Sequence, residues 1–252
     1  MNTADAVARL TKAVADRTAI GRLTDEYTGL DLPAAYDVQR ELRSAAGELA
    51  GWKLGLTSRA KQAQVGVAEP VYGFLPAAGA LDLGEVLETG RQIQPRCEPE
   101  IVFTLGRDLG GAHVTAAEVL GACSGVAVGI EVLDSRYRDY SFTTADVVAD
   151  NTSASRFVVG APVSPQGIDL RLVGVVLEKN GVVAGTASGA ASLGHPAAAV
   201  AWLVRCLSAE GLSLRAGQVV LSGGLTAAVP VGPGDVVVAS IDRLGSVELA
   251  CR

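Results

Sequence analysis

The stretch Arg96-Cys97-Glu98-Pro99-Glu100-Ile101-Val102-Phe103 places two carboxylates inside an apolar segment that has the composition of a β-strand. A second stretch further along the chain, Gly129-Ile130-Glu131-Val132-Leu133, places a third carboxylate in similar surroundings. Burial of an ionised carboxylate is costly unless a cation or several hydrogen bonds compensate its charge. These carboxylates therefore require an explanation beyond ordinary packing.

Glu98 and Glu100 share one face of an extended strand, because side chains alternate with a period of two. If Glu131 comes from a neighbouring strand, the three residues form an all-oxygen cluster that suits Mg²⁺ or Mn²⁺. The alternative is a solvated strand face, on which Glu-x-Glu is ordinary amphipathic patterning. The spacing alone leaves both interpretations open.

The composition is that of a globular protein with an acidic balance. The chain has 252 residues, of which 49% are hydrophobic and 19% charged, so it can bury a large core. Its net charge of −6, without a cluster of Lys and Arg, argues against nucleic-acid binding. The four cysteines and two histidines lack the spacing of a zinc site.

The sequence offers no signal for a membrane or for export. The N-terminus has no basic segment followed by an apolar one, and no run of eighteen apolar residues occurs. We therefore expect a cytoplasmic protein that makes no contact with a membrane.

Helical signals dominate the first part of the chain. Apolar residues at helical spacing predict amphipathic helices over Asp5–Ile20 and Leu32–Leu49, the second with Pro33 near its start and Gly51 just past its end. A short polar helix is predicted from Arg59 to Gln64. Later helices are predicted after the capping box Thr115-Ala116-Ala117-Glu118 and from about Ala197 to Ala209, where His195-Pro196 opens the helix and His195 neighbours the N-cap.

Strand signals dominate the rest. Asn180-Gly181 between two apolar runs predicts a hairpin with a type I′ turn, and three strands are predicted after residue 217: Gln218–Leu221, Asp235–Ile241 and Ser246–Leu249. Glu69–Pro76 is predicted to be a loop because Pro and Gly punctuate it. Helices followed by hairpin-joined strands indicate an α+β fold, with a helical N-terminal cap over residues 1–50 and a catalytic β-rich domain over residues 51–252.

Two further segments contain polar residues that are candidates for contact with a substrate. Lys53 lies in the apolar segment Gly51–Ser58, where it either extends to the surface or points at a substrate carboxylate or enolate. Ser153 and Arg156 lie in the segment Asp150–Arg156, which either forms a simple turn or donates hydrogen bonds to an anionic substrate. Thr226, after a Gly-Gly pair, offers a hydroxyl or a backbone N–H to the same substrate.

Several motifs in order resemble the fumarylacetoacetate hydrolase superfamily, specifically its hydratase/decarboxylase branch. The motifs that carry the resemblance are Gly51–Ser58, Glu98-Pro99-Glu100, Ile130–Tyr137, Val148–Asn151, Leu193–Pro196 and Ser222–Thr226. The resemblance implies a helical N-terminal region followed by a mixed β-roll or sandwich core. It also implies an enzyme of aromatic meta-cleavage catabolism that acts on a small 2-oxo acid, forms a homo-oligomer, and uses Mg²⁺ or Mn²⁺ bound by Glu98, Glu100 and Glu131.

Within this branch, Val71 favours decarboxylation, because related hydratases tend to carry an Asp there. The implied reaction converts 2-oxo-3-hexenedioate to 2-hydroxypenta-2,4-dienoate and CO₂, with Lys53 and Ser153 as catalytic residues and Val71, Arg156 and Thr226 as substrate-binding residues. A partner hydratase would then consume the product. The alternatives are a 2-hydroxypenta-2,4-dienoate hydratase and a non-catalytic binding protein. A carbon–carbon hydrolase is disfavoured because neither histidine lies in a candidate loop.

Overall fold

The computed structural model describes residues 2–58, Gln62 and residues 69–252, so most of the predicted helix from Arg59 to Gln64 lies outside the described residues. The fold is α+β, as predicted. The described α-helices are α1 (Thr3–Asp16), α2 (Leu23–Glu26), α3 (Leu32–Ala45), α4 (Ala116–Ala122), α5 (Thr144–Ala149) and α6 (Pro196–Ala209).

The strands form two sheets. The strands are β1 (Leu49–Gly55), β2 (Val71–Pro76), β3 (Ala80–Leu81), β4 (Arg96–Leu105), β5 (Cys123–Leu133), β6 (Ala154–Val159), β7 (Gly174–Lys179), β8 (Val182–Ser188), β9 (Val219–Leu221), β10 (Val229–Pro230), β11 (Val236–Ile241) and β12 (Gly245–Ala250). The large mixed sheet has the order β2-β1-β9-β4-β5-β6-β3, with β10 paired to β4. The small sheet has the order β12-β11-β7-β8.

The N-terminal helices pack against α5. Leu10, Leu23 and Val38 form one apolar cluster with Tyr137 and Val148. Both long helices end earlier than predicted. Helix α1 stops at Asp16, where the next residue turns left-handed, and α3 stops at Ala45 because the chain already enters β1 at Leu49. The division of the chain at residue 50 stays a prediction.

Alternation along the strands separates the large sheet into two faces. On one face Trp52, Ile101, Phe103 and Ile130 are buried in the main core with α6 and the small sheet. The opposite face carries the residues one position away along the same strands, namely Lys53 on β1, Glu98 and Glu100 on β4, and Glu131 on β5. We call these the core face and the carboxylate face.

The predicted loop over Glu69–Pro76 is wrong, because Val71–Pro76 is strand β2 and pairs antiparallel with β1. Its prolines mark the ends of the strand and do not interrupt it, since Pro70 precedes it and Pro76 is its last residue. Gly73 inside the strand lets another segment approach closely: a Cβ there would lie 2.7 Å from Asn151 Oδ1.

Two local predictions are confirmed. Thr115 and Glu118 form the predicted capping box, and Asn180-Gly181 joins β7 to β8 with positive φ at both residues.

Among the described residues, the segment Gly189–Ala209 alone is long and apolar enough to cross a membrane, but half of it is buried. It contains α6, whose apolar side chains pack in the main core.

Candidate metal and substrate site

A cavity of about 1060 Å³ opens beside the carboxylate face. Lys53, Val71, Glu98 and Ser153 line it, and residues 139–145 form much of the opposite wall. It contains both charged and apolar groups, which suits an anionic ligand with a hydrocarbon chain. Four of the predicted site residues therefore line one space.

The three predicted carboxylates meet at the base of this cavity. Glu98 lies opposite Glu131 in the antiparallel pairing of β4 with β5, and Glu100 follows two residues later on the same face. One carboxylate oxygen from each of the three buried residues lies within 4.8 Å of those of the other two. Burial raises the pKa of both Glu100 and Glu131, and the neighbouring Glu131 charge raises that of Glu100 further.

Protein groups compensate this charge only in part. Lys53 Nζ lies 3.2 Å from Glu131 Oε1, and the Gly223 N–H donates to Glu100 Oε2 at 2.6 Å. Among the described residues, Glu100 Oε1 and Glu131 Oε2 receive no hydrogen bond although both are buried. A hard divalent cation that prefers oxygen ligands fits this donor set.

The segment after β9 closes over the carboxylates. A Cβ on Gly224 would overlap the Glu98 carboxylate, and a Cβ on Gly223 would overlap the Thr57 side chain. Gly223 also has a φ of 107°, which favours glycine. In the sequence this glycine pair points only to Thr226, and its close approach to the Glu98 carboxylate is visible only in the structure.

Lys53 points into the protein and does not reach the surface. It is 3% exposed, and besides Glu131 it donates to the Thr152 carbonyl at 3.1 Å. Val71 lies close to it: a Cβ placed on Gly55 would lie 3.1 Å from Val71 Cγ2 and 3.9 Å from Lys53 Nζ. The cavity thus has an ammonium group and an isopropyl group side by side.

The segment that carries Ser153 has an unusual backbone. Asn151, Thr152 and Ser153 all have left-handed φ values, of 48°, 51° and 58°. Such conformations cost free energy and persist only where the surroundings impose them. Here the Asn151 side chain pairs with the backbone of Phe74 through two hydrogen bonds of 2.9 Å. The result is a Thr152 carbonyl aimed at Lys53 and a Ser153 side chain at the cavity wall.

A buried ion pair that the sequence analysis missed supports this segment. Arg136 pairs with the Asp150 carboxylate and also donates to the Asp150 carbonyl at 2.7 Å. Ser153 Oγ donates to Asp150 Oδ2 at 3.2 Å. Burial raises the pKa of Asp150 to about 6, even though Arg136 opposes the shift.

Two predicted substrate-binding residues lie outside the cavity lining. Phe157 lies opposite Glu131 in the pairing of β5 with β6, and Arg156, one position before Phe157, lies opposite Val132. The Arg156 guanidinium donates to the Ala78 carbonyl. Thr226 Oγ1 donates to the Ala227 carbonyl at 3.0 Å. Although Ala227 itself lines the cavity, the structure does not bring either predicted side chain to the carboxylates. Their roles in binding stay predictions.

Comparison with known proteins places the whole chain among related enzymes. Residues 40–250 match the family model described as fumarylacetoacetate (FAA) hydrolase C-terminal. The chain is 42% identical to the 4-oxalocrotonate decarboxylase of Pseudomonas sp. strain CF600, over 90% of this chain and 88% of that one. It is 40% identical to the 2-keto-4-pentenoate hydratase of Paraburkholderia xenovorans LB400, over 96% of this chain and 92% of that one.

A solved structure is similar over the full length. The 4-oxalocrotonate decarboxylase from Pseudomonas putida G7, complexed with magnesium and adipate, superposes with a TM-score of 0.94 at 38% identity, covering 100% of this chain and 99% of that one. The arrangement of N-terminal helices and mixed sheet is therefore the one found in that enzyme.

Proposed function

The chain belongs to the fumarylacetoacetate hydrolase family, as its ordered motifs predict, and on this premise we propose that it is a divalent-metal-dependent lyase that decarboxylates 2-oxo-3-hexenedioate. The products would be 2-hydroxypenta-2,4-dienoate and CO₂. The observation that carries the proposal is the convergence of Glu98, Glu100, Glu131 and Lys53 at the base of one cavity, beside an apolar Val71.

The carboxylates would hold Mg²⁺ or Mn²⁺. When bound, such an ion supplies a Lewis acid for a 2-oxo acid. Two buried carboxylate oxygens without a donor, on Glu100 and Glu131, support this role, because they would otherwise remain uncompensated. Each of the three residues offers one carboxylate oxygen within 4.8 Å of those of the other two.

Lys53 would stabilise the charge that develops during the reaction. As the C5–C6 bond of the substrate breaks, its electron pair moves through the conjugated chain to the C2 oxygen, and C6 leaves as CO₂. Two of the three ammonium donors of Lys53 are directed at Glu131 and Thr152, which leaves one for that oxygen. Because Glu131 and Thr152 fix the ammonium before the substrate arrives, it need not reorganise as charge develops.

Ser153 would orient the anionic 2-oxo acid end of the substrate. Its hydroxyl donates to Asp150 Oδ2 at 3.2 Å, and this single donor would turn to the substrate carboxylate when the substrate binds. A hydrogen bond from the cavity wall would then restrict the orientations that the bound carboxylate adopts.

Val71 would favour decarboxylation over hydration. It is 3% exposed and lines the cavity, where an isopropyl group excludes water and cannot deprotonate it. Loss of CO₂ requires no water, whereas hydration requires a group that positions and deprotonates a water molecule. The side chain at this position therefore favours the first reaction.

Product analysis tests this proposal. Purified protein would be supplied separately with 2-oxo-3-hexenedioate and with 2-hydroxypenta-2,4-dienoate, with Mg²⁺ and with a chelator. We expect Mg²⁺-dependent release of CO₂ from the first compound and no conversion of the second to 4-hydroxy-2-oxopentanoate. Conversion of neither compound, together with no Mg²⁺ binding, would instead support a non-catalytic binding protein.

The second candidate function is hydration of 2-hydroxypenta-2,4-dienoate. It is favoured by one observation: a hydratase and a decarboxylase match the chain at nearly the same identity, 40% and 42%. Efficient hydration without CO₂ release would make this candidate correct. A homo-oligomer, a partner hydratase and a cytoplasmic location stay predictions that these assays do not address.

A further inference from the structure

One cation in the cavity has no ionic partner. Arg96 lines the cavity and lies two residues before Glu98 on β4, so alternation places both side chains on the carboxylate face. Its guanidinium forms no hydrogen bond or ion pair with any other described residue. It lies instead over the ring of Tyr140, 3.9 Å from the ring centroid. This stacking fixes the position of the cation and leaves its donors available.

Among the residues that the structure describes, the other cations that line the cavity are already engaged. Lys53 contacts Glu131 and Thr152, and Arg22 donates to the hydroxyl and the carbonyl of Ser141. Arg96 therefore offers the free fork of N–H donors, whose geometry matches a carboxylate. An anionic group that enters this cavity beyond the reach of Lys53 would meet Arg96.

The spacing fits a short dicarboxylate. Two residues along a strand span roughly 6.6 Å, which separates the backbones of Arg96 and Glu98. The five bonds of an extended six-carbon chain, each about 1.5 Å long, form a zigzag that places the terminal carbons roughly 6.4 Å apart. A six-carbon ligand with one end at the carboxylate cluster is therefore long enough to reach the level of Arg96 on β4.

We propose that Arg96 binds the distal carboxylate of a six-carbon 2-oxo dicarboxylic acid and so selects dicarboxylates over monocarboxylates of the same length. This inference rests on the proposed function and specifies the substrate class of the same site. Val71, which neighbours Lys53, then flanks the hydrocarbon part of the chain and not the distal carboxylate itself.

The ion pair would act on substrate binding and not on bond breaking. It exists while C6 is a carboxylate and disappears as C6 becomes neutral CO₂. Loss of such an interaction raises KM without an equal loss of kcat. For Arg96→Gln we therefore expect a higher KM for 2-oxo-3-hexenedioate and a kcat that is unchanged or higher.

Binding of two matched acids tests the inference without turnover. Adipate and hexanoate have the same number of carbons, but only adipate has a second carboxylate. Titration calorimetry on the Mg²⁺-loaded protein should give a preference for adipate of about tenfold to a hundredfold, as expected for a charged hydrogen-bonded pair. Arg96→Gln should abolish this preference and leave the affinities for hexanoate and for Mg²⁺ unchanged.

Two other variants keep the test decisive. Arg215→Gln removes an exposed arginine outside the cavity and should retain the preference for adipate. Arg96→Lys keeps the charge but loses the fork, so its preference should fall between those of the wild type and Arg96→Gln. If Arg96→Gln fails to fold, as judged by circular dichroism, a full preference for adipate in Arg96→Lys would still contradict the inference.

The outcomes separate this inference from the proposed function. A folded Arg96→Gln that keeps the preference for adipate, or whose KM is unchanged, overturns the role of Arg96 and leaves the decarboxylase proposal intact if the wild type releases CO₂. A wild type that does not distinguish adipate from hexanoate also overturns the role of Arg96. Failure of the wild type to bind Mg²⁺ or to convert the substrate overturns the proposed function itself.

Discussion

On strand β4, Ile101 and Phe103 face a continuous apolar core, whereas Glu98 and Glu100, on the other side of the same strand, belong to a carboxylate cluster beside a cavity that Glu98 lines. The core face is covered by α6 and the small sheet, and Ile101 and Phe103 belong to one large apolar cluster there. The carboxylate face gathers three buried carboxylates, one lysine and two carboxylate oxygens without a donor. Residues that are adjacent in the chain therefore serve different purposes: the core face stabilises the fold, and the carboxylate face holds charge at a cost.

The largest effect should come from removing one charge on the carboxylate face. We expect Glu100→Gln to abolish Mg²⁺ binding and to lower Mg²⁺-dependent turnover by about 10³-fold or more, which is roughly 4 kcal/mol. The free energy of unfolding without metal should not fall, because the amide avoids the cost of burying a carboxylate. Calorimetric titration and urea denaturation measure the two quantities. Full Mg²⁺ affinity in this variant would refute the metal site.

A change on the core face should have the opposite profile. Phe103→Ala removes a fully buried ring and should lower the free energy of unfolding by about 3–5 kcal/mol. Its Mg²⁺ affinity, measured at a temperature where the variant remains folded, should match that of the wild type. If affinity and stability fell together, the two faces would not be separable, and the comparison would fail.

The role of Lys53 on the carboxylate face can be tested separately from that of the three carboxylates. Lys53→Met should lower kcat by about 10²–10³-fold, the range seen when one preorganised donor to a developing oxyanion is removed. Steady-state kinetics with 2-oxo-3-hexenedioate at saturating Mg²⁺ measures this. A rise in KM alone would limit the lysine to substrate binding, and unchanged kinetics would remove it from the site.

The pH dependence of metal affinity should be a smaller effect with a definite sign. Burial raises the pKa of Glu100 and Glu131, so each retains a proton to a higher pH than an ordinary carboxyl group. Metal binding must displace such protons. Mg²⁺ affinity should therefore fall as the pH falls, by up to about tenfold per pH unit for each proton released. An Mg²⁺ affinity that stays constant as the pH falls, measured by calorimetry in buffers of different ionisation enthalpy, would contradict this prediction.

Local sequence signals predicted the features that depend on few neighbours. The period of two in Glu98-Pro99-Glu100 gave the shared face, and the capping box at Thr115 and the turn at Asn180-Gly181 lie where their local chemistry requires. The motifs in order also gave the correct family and fold class. In each of these cases the deciding residues lie close together in the chain.

Features that depend on distant segments were not predictable. Strand β2 was taken for a loop because its pairing with β1 is invisible in Glu69–Pro76 alone. Arg156 was favoured over Arg136 because nothing in the sequence fixes the register of β6 against β5. Arg96 received no predicted role, although it begins the stretch Arg96–Phe103, because Tyr140 reaches it from a segment far along the chain.

The most direct test of the metal site is a crystal structure of the protein soaked in Mn²⁺, with anomalous scattering data. We expect one manganese peak per chain, ligated by oxygens of Glu98, Glu100 and Glu131 at about 2.1 Å, near the distance expected for small hard cations. The same crystals of Glu100→Gln should lack the peak. A manganese ion bound only elsewhere, or full occupancy in the variant, would contradict the claim that this face of the sheet is a metal centre.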